Sequence, residues 1–334
     1  MSTAGTVAYG DPVPFATRYG YYSAANQGKS RRTFSVANGT SVHFSMGNLQ
    51  YIGSAATPYW KFADYQFDFL GDNGQGSDAT NVDRDLFGWG NSGWDNGNYF
   101  YQPYDVSRRK SSPYIAENGY GYGPTNGTTY SYNLTGTYAN ADWGVYHSST
   151  TTGNGGVITN GNGTSWRTLQ GGTEGGHTNQ WSYLLYSRTT TNGYRYAKTQ
   201  LWVHGNMNES VTEVNGEYAC GTVLGGMIIF PDDFSFPSEF SGSLTTNTAN
   251  TNYTANQLTE AQWSLLEKAG AVFLPAAGDR FGTSVIDLGE EGHYWSSTTY
   301  STVSDAYRLF FKDSSITITY DFRFYGFSVR LVCP

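Results

Sequence analysis

The chain has 334 residues and a formal net charge of −8, and 17% of its residues are aromatic while only 14% are charged. Disordered chains show the opposite balance, so this composition predicts a folded protein. Nucleic-acid binding normally requires a basic surface, and 19 Lys and Arg residues without a long basic run argue against DNA or RNA as a partner. No stretch approaches the roughly 20 apolar residues of a membrane-spanning helix, so we expect no membrane insertion.

The chain divides into two parts by composition. Residues 1–33 are rich in Gly, Ala and Tyr without a clear period, and we interpret them as an N-terminal arm ahead of one domain over 34–334. The first residues contain no basic segment followed by an apolar one, so we expect no secretory signal.

A β-hairpin is predicted at the start of the domain. Apolar residues alternate with polar ones from Phe34 to Val36 and from Val42 to Phe44, on either side of an Asn-Gly pair at 38–39. Asn-Gly favours the type I′ turn, whose twist suits a two-residue hairpin. From about 111 to 165 the chain is dominated by Gly, Asn, Thr, Ser and Tyr, which predicts long surface loops with a few strands.

Two segments are predicted to form helices. The first covers 179–188, where the apolar side chains fall on one stripe. In the second, Thr259 and Gln262 have the spacing of a capping box, and Leu258 and Trp263 that of a hydrophobic staple. Gly270 supplies the stop at its C-terminal end.

Short strands surround and follow the second helix. They are predicted at 271–275, 294–296, 306–311, 316–320 and 327–332, and the last alternates inward and outward positions. Two helices among many short strands predict an α+β domain.

The sequence contains no motif for catalysis or metal binding. Its five His residues are scattered without the spacing of zinc ligands, and no Gly-x-Ser-x-Gly elbow is present. Cys220 and Cys333 could be two separate thiols or one long-range bridge. The segment from Asp72 to Asp85 has enough side-chain oxygens for calcium but not the EF-hand spacing, which favours a polar loop. We therefore expect no enzyme activity, no metal and no cofactor.

Several motifs in the second half of the domain resemble those of a known family. They are Phe-Leu-Pro-Ala-Ala-Gly at 273–278, Gly-Thr-Ser-Val at 282–285, Tyr-Trp-Ser-Ser at 294–297 and Gly-Phe-Ser-Val-Arg-Leu-Val at 326–332. In this order they resemble C-type-lectin-fold variable proteins of diversity-generating retroelements from Bacteroidales and their phages, a group that includes phage tropism determinants. The resemblance covers roughly Phe34 to Cys333, about nine-tenths of the chain.

The resemblance implies a C-type lectin-like fold of the formylglycine-generating-enzyme variety, with a variable ligand-binding region at about 278–326. In this family, miscopied template adenines turn AAY codons into NNY codons, which never encode Lys, Glu, Gln, Met or Trp. Residues 320–325 all belong to the NNY set. By the same logic Glu290, Glu291, Trp295 and Lys312 are interpreted as fixed scaffold.

Candidate variable positions belong to the NNY set, lie between or beside these motifs, and are expected to form one solvent-facing patch. Tyr and Phe give a large contact area at low side-chain entropy cost, as in a paratope. Phe322 and Phe324 could instead be core residues of a strand. The candidates are Asp279, Phe281, His293, Ser301, Ser304, Asp305, Tyr307, Arg308, Phe310, Tyr320, Asp321, Phe322, Phe324 and Tyr325.

The function that the resemblance implies is receptor binding at the tip of a phage tail fibre. The expected partner is a protein or glycan of a bacterial surface, the expected location is the virion, and the expected assembly is a homotrimer. One alternative is a secreted or cell-surface bacterial adhesin of the same fold. A second is a carbohydrate-active or modifying enzyme, which rests on fold analogy alone.

Overall fold

The computed structural model describes residues 29–52, 54–56, 59–72, 83–87, 131–132, 141–142, 158–159, 165–172, 179–203, 210–214, 217–281, 284–300, 305–322 and 325–334. In these residues the chain is mostly β-sheet with a few short helices, which agrees with the predicted α+β class at this coarse level. Among these helices, none combines the length and the apolar character needed to cross a membrane.

The predicted N-terminal hairpin is confirmed, but its turn is of a different kind. Strands β1 (Phe34–Ala37) and β2 (Thr40–Phe44) pair antiparallel, and their four alternating apolar side chains are buried. Of the Asn38-Gly39 pair only Gly39 has a positive φ, whereas a type I′ turn needs two. The register instead shifts between Ser35 and Ala37, so an irregularity in β1 accommodates the turn.

The last residues of the predicted arm contact the domain. The Ser30 amide donates a hydrogen bond of 2.7 Å to the Phe44 carbonyl, and Lys29 forms a β-bridge with Ser45. The exposed Arg32 pairs with Asp233. Residues 29–33 are therefore attached to the domain that was predicted to begin at 34, and residues 1–28 lie outside the described residues.

Three short antiparallel pairs follow the hairpin. They are β3 (Leu49–Ile52) with β4 (Tyr59–Phe62), β5 (Ser131–Tyr132) with β6 (Ala141–Asp142), and β7 (Ile158–Thr159) with β8 (Ser165–Trp166). The four strands of the last two pairs lie in, or at the end of, the Gly- and Asn-rich stretch that was predicted to contain a few strands.

Both predicted helices are present. Helix α1 (Gln180–Ser182) is capped by the Asn179 side chain and continues as a π-helical turn over Tyr183–Ser187. Helix α2 (Glu260–Lys268) begins with the predicted capping box of Thr259 and Gln262. It ends before Gly270, whose φ of 99° is accessible to glycine at little cost.

The first large sheet lies against α2. Its strand order is β10 (Ser210–Val214), β11 (Glu217–Ile229), β9 (Tyr196–Val203) and β12 (Gln257–Thr259), and β13 (Val272–Pro275) also pairs with β11. Trp263 and Leu266 of α2 share one apolar cluster with Leu201, Ile228 and Phe273. The Trp263 and Phe273 rings lie 5.4 Å apart between their centroids.

The second large sheet carries most of the candidate positions. Its order is β15 (Ser284–Leu288), β14 (Ala277–Phe281), β16 (Glu291–Thr299), β17 (Asp305–Lys312) and β18 (Ser315–Phe322). On β17, Leu309 and Phe311 are buried in a core shared with strands of the first sheet, whereas Phe310 and Lys312 are only half-buried. The two faces of this sheet therefore have different environments.

A buried lysine ties the second sheet to the first. The Nζ atom of Lys198 on β9 donates to the carbonyls of Ala249, Lys312 and Asp313 at 2.6, 2.8 and 2.7 Å. These bonds use all three ammonium donors, which offsets the cost of burial. Burial also lowers the pKa of Lys198 to about 8. The turn between β17 and β18 is thus held in a fixed position.

The predicted strand at 327–332 is not continuous. Phe327 bridges Phe87, Ser328 bridges Tyr294, and only β19 (Val332–Cys333) forms a strand, beside β2. The expected alternation fails because the whole segment is buried. Its Arg330 guanidinium lies in the interior and donates to Gln66 at 2.6 Å.

Candidate functional site

The second sheet brings most candidate variable positions together but divides them between its two faces. Ser301, Ser304 and Phe324 lie outside the described residues. The others lie on β14, β16, β17 and β18, except Tyr325, which follows the last residue of β18 by three positions. Because successive strand residues point to opposite faces, neighbouring candidates such as Tyr307 and Arg308 are separated by the sheet. The expected single patch is therefore not what the sheet produces.

We call the outer side of this sheet the Arg308 face. The opposite side carries the smaller group of candidates, where the Tyr320 ring stacks on Tyr300 at 3.7 Å and meets Tyr307 edge-on at 6.2 Å. The Arg308 face is defined by the larger group, whose members touch one another or lie on the same side of neighbouring strands: Asp279, Phe281, His293, Arg308, Phe310, Asp321 and Tyr325.

The candidates also differ in exposure. Phe281 and Phe322 are 41% and 45% exposed, as a contact surface requires. Asp279 and His293 are only 5% exposed, and Asp305 and Tyr307 are also buried, which corrects the expectation that all would face solvent. These four residues lie on inner strands β14, β16 and β17, whereas Phe322 lies on edge strand β18 and Phe281 is the last residue of β14.

Arg308 is the fixed centre of its face. Its Nη2 atom donates to Oδ2 of Asp321 at 2.8 Å, and its Nη1 atom contacts Nδ1 of His293. The guanidinium carbon lies 4.8 Å from the Phe310 ring centroid and 4.9 Å from that of Phe327. Cation–π attraction and a carboxylate partner together hold this side chain between two rings.

His293 has one nitrogen engaged and one without a hydrogen bond. A guanidinium can only donate, so Nδ1 accepts from Arg308 and the neutral imidazole carries its proton on Nε2. Nε2 lies 3.2 Å from Oε2 of Glu291 without the alignment of a hydrogen bond, and 3.8 Å from Oδ1 of Asp279, which is too far for one. Burial lowers the pKa of His293 to about 4, so the ring is neutral at pH 7.

Asp279 is a buried carboxylate without a close donor. Its nearest partner is His293, and no described residue donates a hydrogen bond to it. Burial raises the pKa of Asp279 to about 7, and the neighbouring carboxylates of Asp287, Glu291 and Asp321 add to this effect, while Arg308 opposes it. Asp279 can therefore gain or lose a proton near neutral pH.

Sequence reasoning missed two residues of an apolar rim on this face. Ile286 and Leu288 on β15 are exposed, and they pair across the strands with Asp279 and Ala277. Cross-strand partners lie on the same face, so both extend the surface around Asp279. Their alternation along β15 is the signal that could have identified them. Together with Phe281 and Tyr325, whose rings lie 5.1 Å apart, they form what we call the apolar rim.

Glu291 was interpreted as scaffold, yet it contributes to the charge of the Arg308 face. Its Oε1 atom lies 3.3 Å from Nζ of Lys312, and its Oε2 atom is the one near His293. The nearby imidazole of His293, and after it the ammonium of Lys312, lower the pKa of Glu291, so it is ionised at neutral pH. NNY codons never encode Glu, so position 291 is interpreted as not varied, but a residue that does not vary can still belong to a binding site.

The structure also bears on the metal and cysteine questions. Within the described residues, no group of three or more His, Cys, Asp or Glu side chains has a geometry that could hold a metal ion. Residues 73–82 of the segment that was considered for calcium lie outside the described residues. The Asp83 carboxylate accepts a hydrogen bond of 2.9 Å from the Ser54 amide, and the Asp85 carboxylate accepts one of 2.7 Å from the Leu70 amide. Cys333 is a buried free thiol, so it is not bridged.

No family model, curated protein or solved structure matches this chain.

Proposed function

We propose that this chain is a receptor-binding protein that attaches through the Arg308 face to a molecule of a bacterial surface, at the tip of a phage tail fibre. The observation that carries the proposal is the apolar rim beside a buried polar cluster. Exposed apolar patches on soluble proteins mark interaction sites. Aromatic and arginine side chains next to each other are typical of binding hot spots.

The apolar rim lies beside a buried layer that supports it, and this arrangement suits a surface whose exposed residues vary while the fold is kept. Trp295 is fully buried, and its Nε1 atom donates to the Phe87 carbonyl at 2.6 Å, so it belongs to the support. Tyr325 stacks on Phe327, whose ring packs on Trp295, and both Tyr325 and Phe281 belong to the NNY set. We propose on the same grounds that the finer fold is the C-type lectin-like fold of the formylglycine-generating-enzyme variety, in which such a sheet carries the variable side chains.

The assembly that suits this role is a homotrimer within the virion. Several copies that engage one surface gain avidity over a single weak site. Light scattering of the purified chain at micromolar concentration measures this directly, and a monomer there contradicts the trimer. A secreted or cell-surface bacterial adhesin would use the same face, and only the location distinguishes it.

A modifying enzyme is the candidate from another class, and one observation favours it. Burial raises the pKa of Asp279 to about 7, and Nε2 of His293 lies 3.8 Å from it, a pairing that suits general acid–base catalysis. Release of fragments from bacterial surface polysaccharides by the purified chain would support that activity. We favour binding because the exposed feature of this face is its apolar rim.

The test of receptor binding is attachment of the labelled, purified chain to a panel of Bacteroidales strains, measured by flow cytometry. We expect Phe281→Ala together with Tyr325→Ala to abolish attachment, because aromatic anchors of a binding surface contribute roughly 2 kcal/mol or more each. Tyr186→Ala is the matched control, since Tyr186 is a partly exposed aromatic residue outside this face. Attachment of the double variant at the wild-type level would contradict the proposal.

A further inference from the structure

We propose that the Arg308 face recognises a carbohydrate, and that Asp279 and His293 together hold one sugar hydroxyl. This inference rests on the proposed function, in which the same face is the binding surface. The proposed function does not specify whether the receptor is a protein or a glycan, and this inference specifies a glycan.

Two polar groups on this face, a donor nitrogen and a carboxylate, face each other and are complementary. Nε2 of His293 carries a proton, and its nearest acceptor, Oε2 of Glu291 at 3.2 Å, is not aligned for a hydrogen bond. The Asp279 carboxylate accepts from no described residue. Both side chains are at least nine-tenths buried. Buried polar groups are rarely left unpaired, so a donor and an acceptor at one place indicate a ligand that supplies both roles.

The distance between Nε2 of His293 and Oδ1 of Asp279 indicates which chemical group of a ligand can bridge them. Nε2 and Oδ1 lie 3.8 Å apart, so one oxygen can sit about 2.8 Å from each. A hydroxyl accepts from the imidazole and donates to the carboxylate with the same atom. An ammonium can only donate and a carboxylate can only accept, so either would leave one of the two atoms unpaired.

The apolar rim supplies the second contact that a sugar needs. Phe281 follows Asp279 by two residues on β14, so its ring lies on the same face about 7 Å along the strand. One pyranose ring covers a distance of this order. The Phe281 ring is 41% exposed, and Tyr325 packs beside it at an interplanar angle of 32°. The negative face of an aromatic ring attracts the C–H groups of a sugar.

The surrounding contacts hold the pair in the state that this role requires. Arg308 occupies Nδ1 of His293 and thereby places the proton on Nε2. The His293 ring is stacked on Phe327 at 4.8 Å, which fixes its plane. Burial raises the pKa of Asp279 only to about 7, so the carboxylate is ionised above neutral pH, and an ionised carboxylate accepts a stronger hydrogen bond than a neutral one.

The experiment tests whether the receptor on the bacterial surface is a glycan or a protein. Cells that bind the wild-type chain are treated either with periodate, which cleaves vicinal diols, or with protease. We expect periodate to abolish attachment and protease to leave it unchanged, and we expect wild-type binding on an array of bacterial polysaccharides. Asp279→Asn should weaken that binding roughly 10- to 100-fold, the range for hydrogen bonds to charged groups. The matched control is Asp64→Asn, which alters an exposed carboxylate beside Lys61.

The outcomes distinguish this inference from the function on which it rests. Attachment that survives periodate and is lost to protease, or absence of binding to every polysaccharide on the array, overturns the glycan inference and leaves receptor binding in place. Asp279→Asn with wild-type affinity overturns the assigned hydroxyl contact. Attachment that is insensitive to both rim substitutions overturns the proposed function itself. The periodate arm uses the wild-type chain, so it decides the class of receptor even where a variant fails to fold.

Discussion

The two large sheets use their outward-facing sides differently. The side of the first sheet under α2 is covered by an apolar cluster, in which Trp263 packs on Phe273. The outer side of the second sheet holds Arg308, His293 and Asp279 among aromatic rings. Removing apolar surface from water, as this cluster does, stabilises the fold. A polar cluster with unpaired atoms contributes less to stability, which is consistent with a surface kept for binding.

We expect the largest loss of stability from a substitution in the contact between the first sheet and α2. Trp263 is fully buried, so Trp263→Ala removes its apolar contacts and leaves a cavity. We expect the free energy of unfolding to fall by roughly 3–5 kcal/mol, as measured by urea denaturation. Leu265→Ala, at a partly exposed position of the same helix, is the control and should cost less. A loss below about 1 kcal/mol at Trp263 would mean that α2 is not packed on this sheet.

The second expected effect is on the pH dependence of stability, and it concerns the Arg308 face. Burial raises the pKa of Asp279 to about 7, so between about pH 4 and 7 the folded chain keeps a proton that the unfolded chain has released. The stability that this group contributes is present at low pH and is lost as the pH rises through 7. Burial lowers the pKa of His293 to about 4, so its contribution has the opposite sign and is lost as the pH falls from 6.5 towards 4.

In the wild type these two contributions oppose each other, and Asp279→Asn leaves only that of His293. We expect the unfolding free energy of the variant to rise relative to wild type as the pH increases from 4.5 to 6.5, by at most about 1.4 kcal/mol per pH unit. Urea denaturation at four pH values measures this difference. Parallel curves for variant and wild type would show that the folded state does not perturb Asp279.

The same contrast explains what the sequence could predict. The capping box, Trp263 and Gly270 lie within a dozen residues of each other, and their spacing encodes α2 directly. Arg308 meets Asp321 and His293 through strand pairing, and this depends on register. A one-residue difference in register moves a side chain to the other face, which a list of candidate positions does not resolve. The burial of the segment at 326–333 likewise depends on what packs against it.

The smallest expected effect tests whether the two faces of the second sheet act separately. Phe281 and Phe322 are similarly exposed, at 41% and 45%, but lie on opposite faces because Phe322 pairs with Asp305 on the side away from Arg308. We expect Phe322→Ala to change the unfolding free energy by less than about 0.5 kcal/mol, since it removes a ring on an edge strand. Attachment to cells should stay within twofold of wild type, whereas Phe281→Ala should reduce it more than tenfold. An equal loss for the two variants would mean that the binding surface continues around the edge at β18 and includes both faces. The flow-cytometry assay that measures rim variants measures this pair directly, and thermal melting of Phe322→Ala shows whether any loss of attachment comes from unfolding.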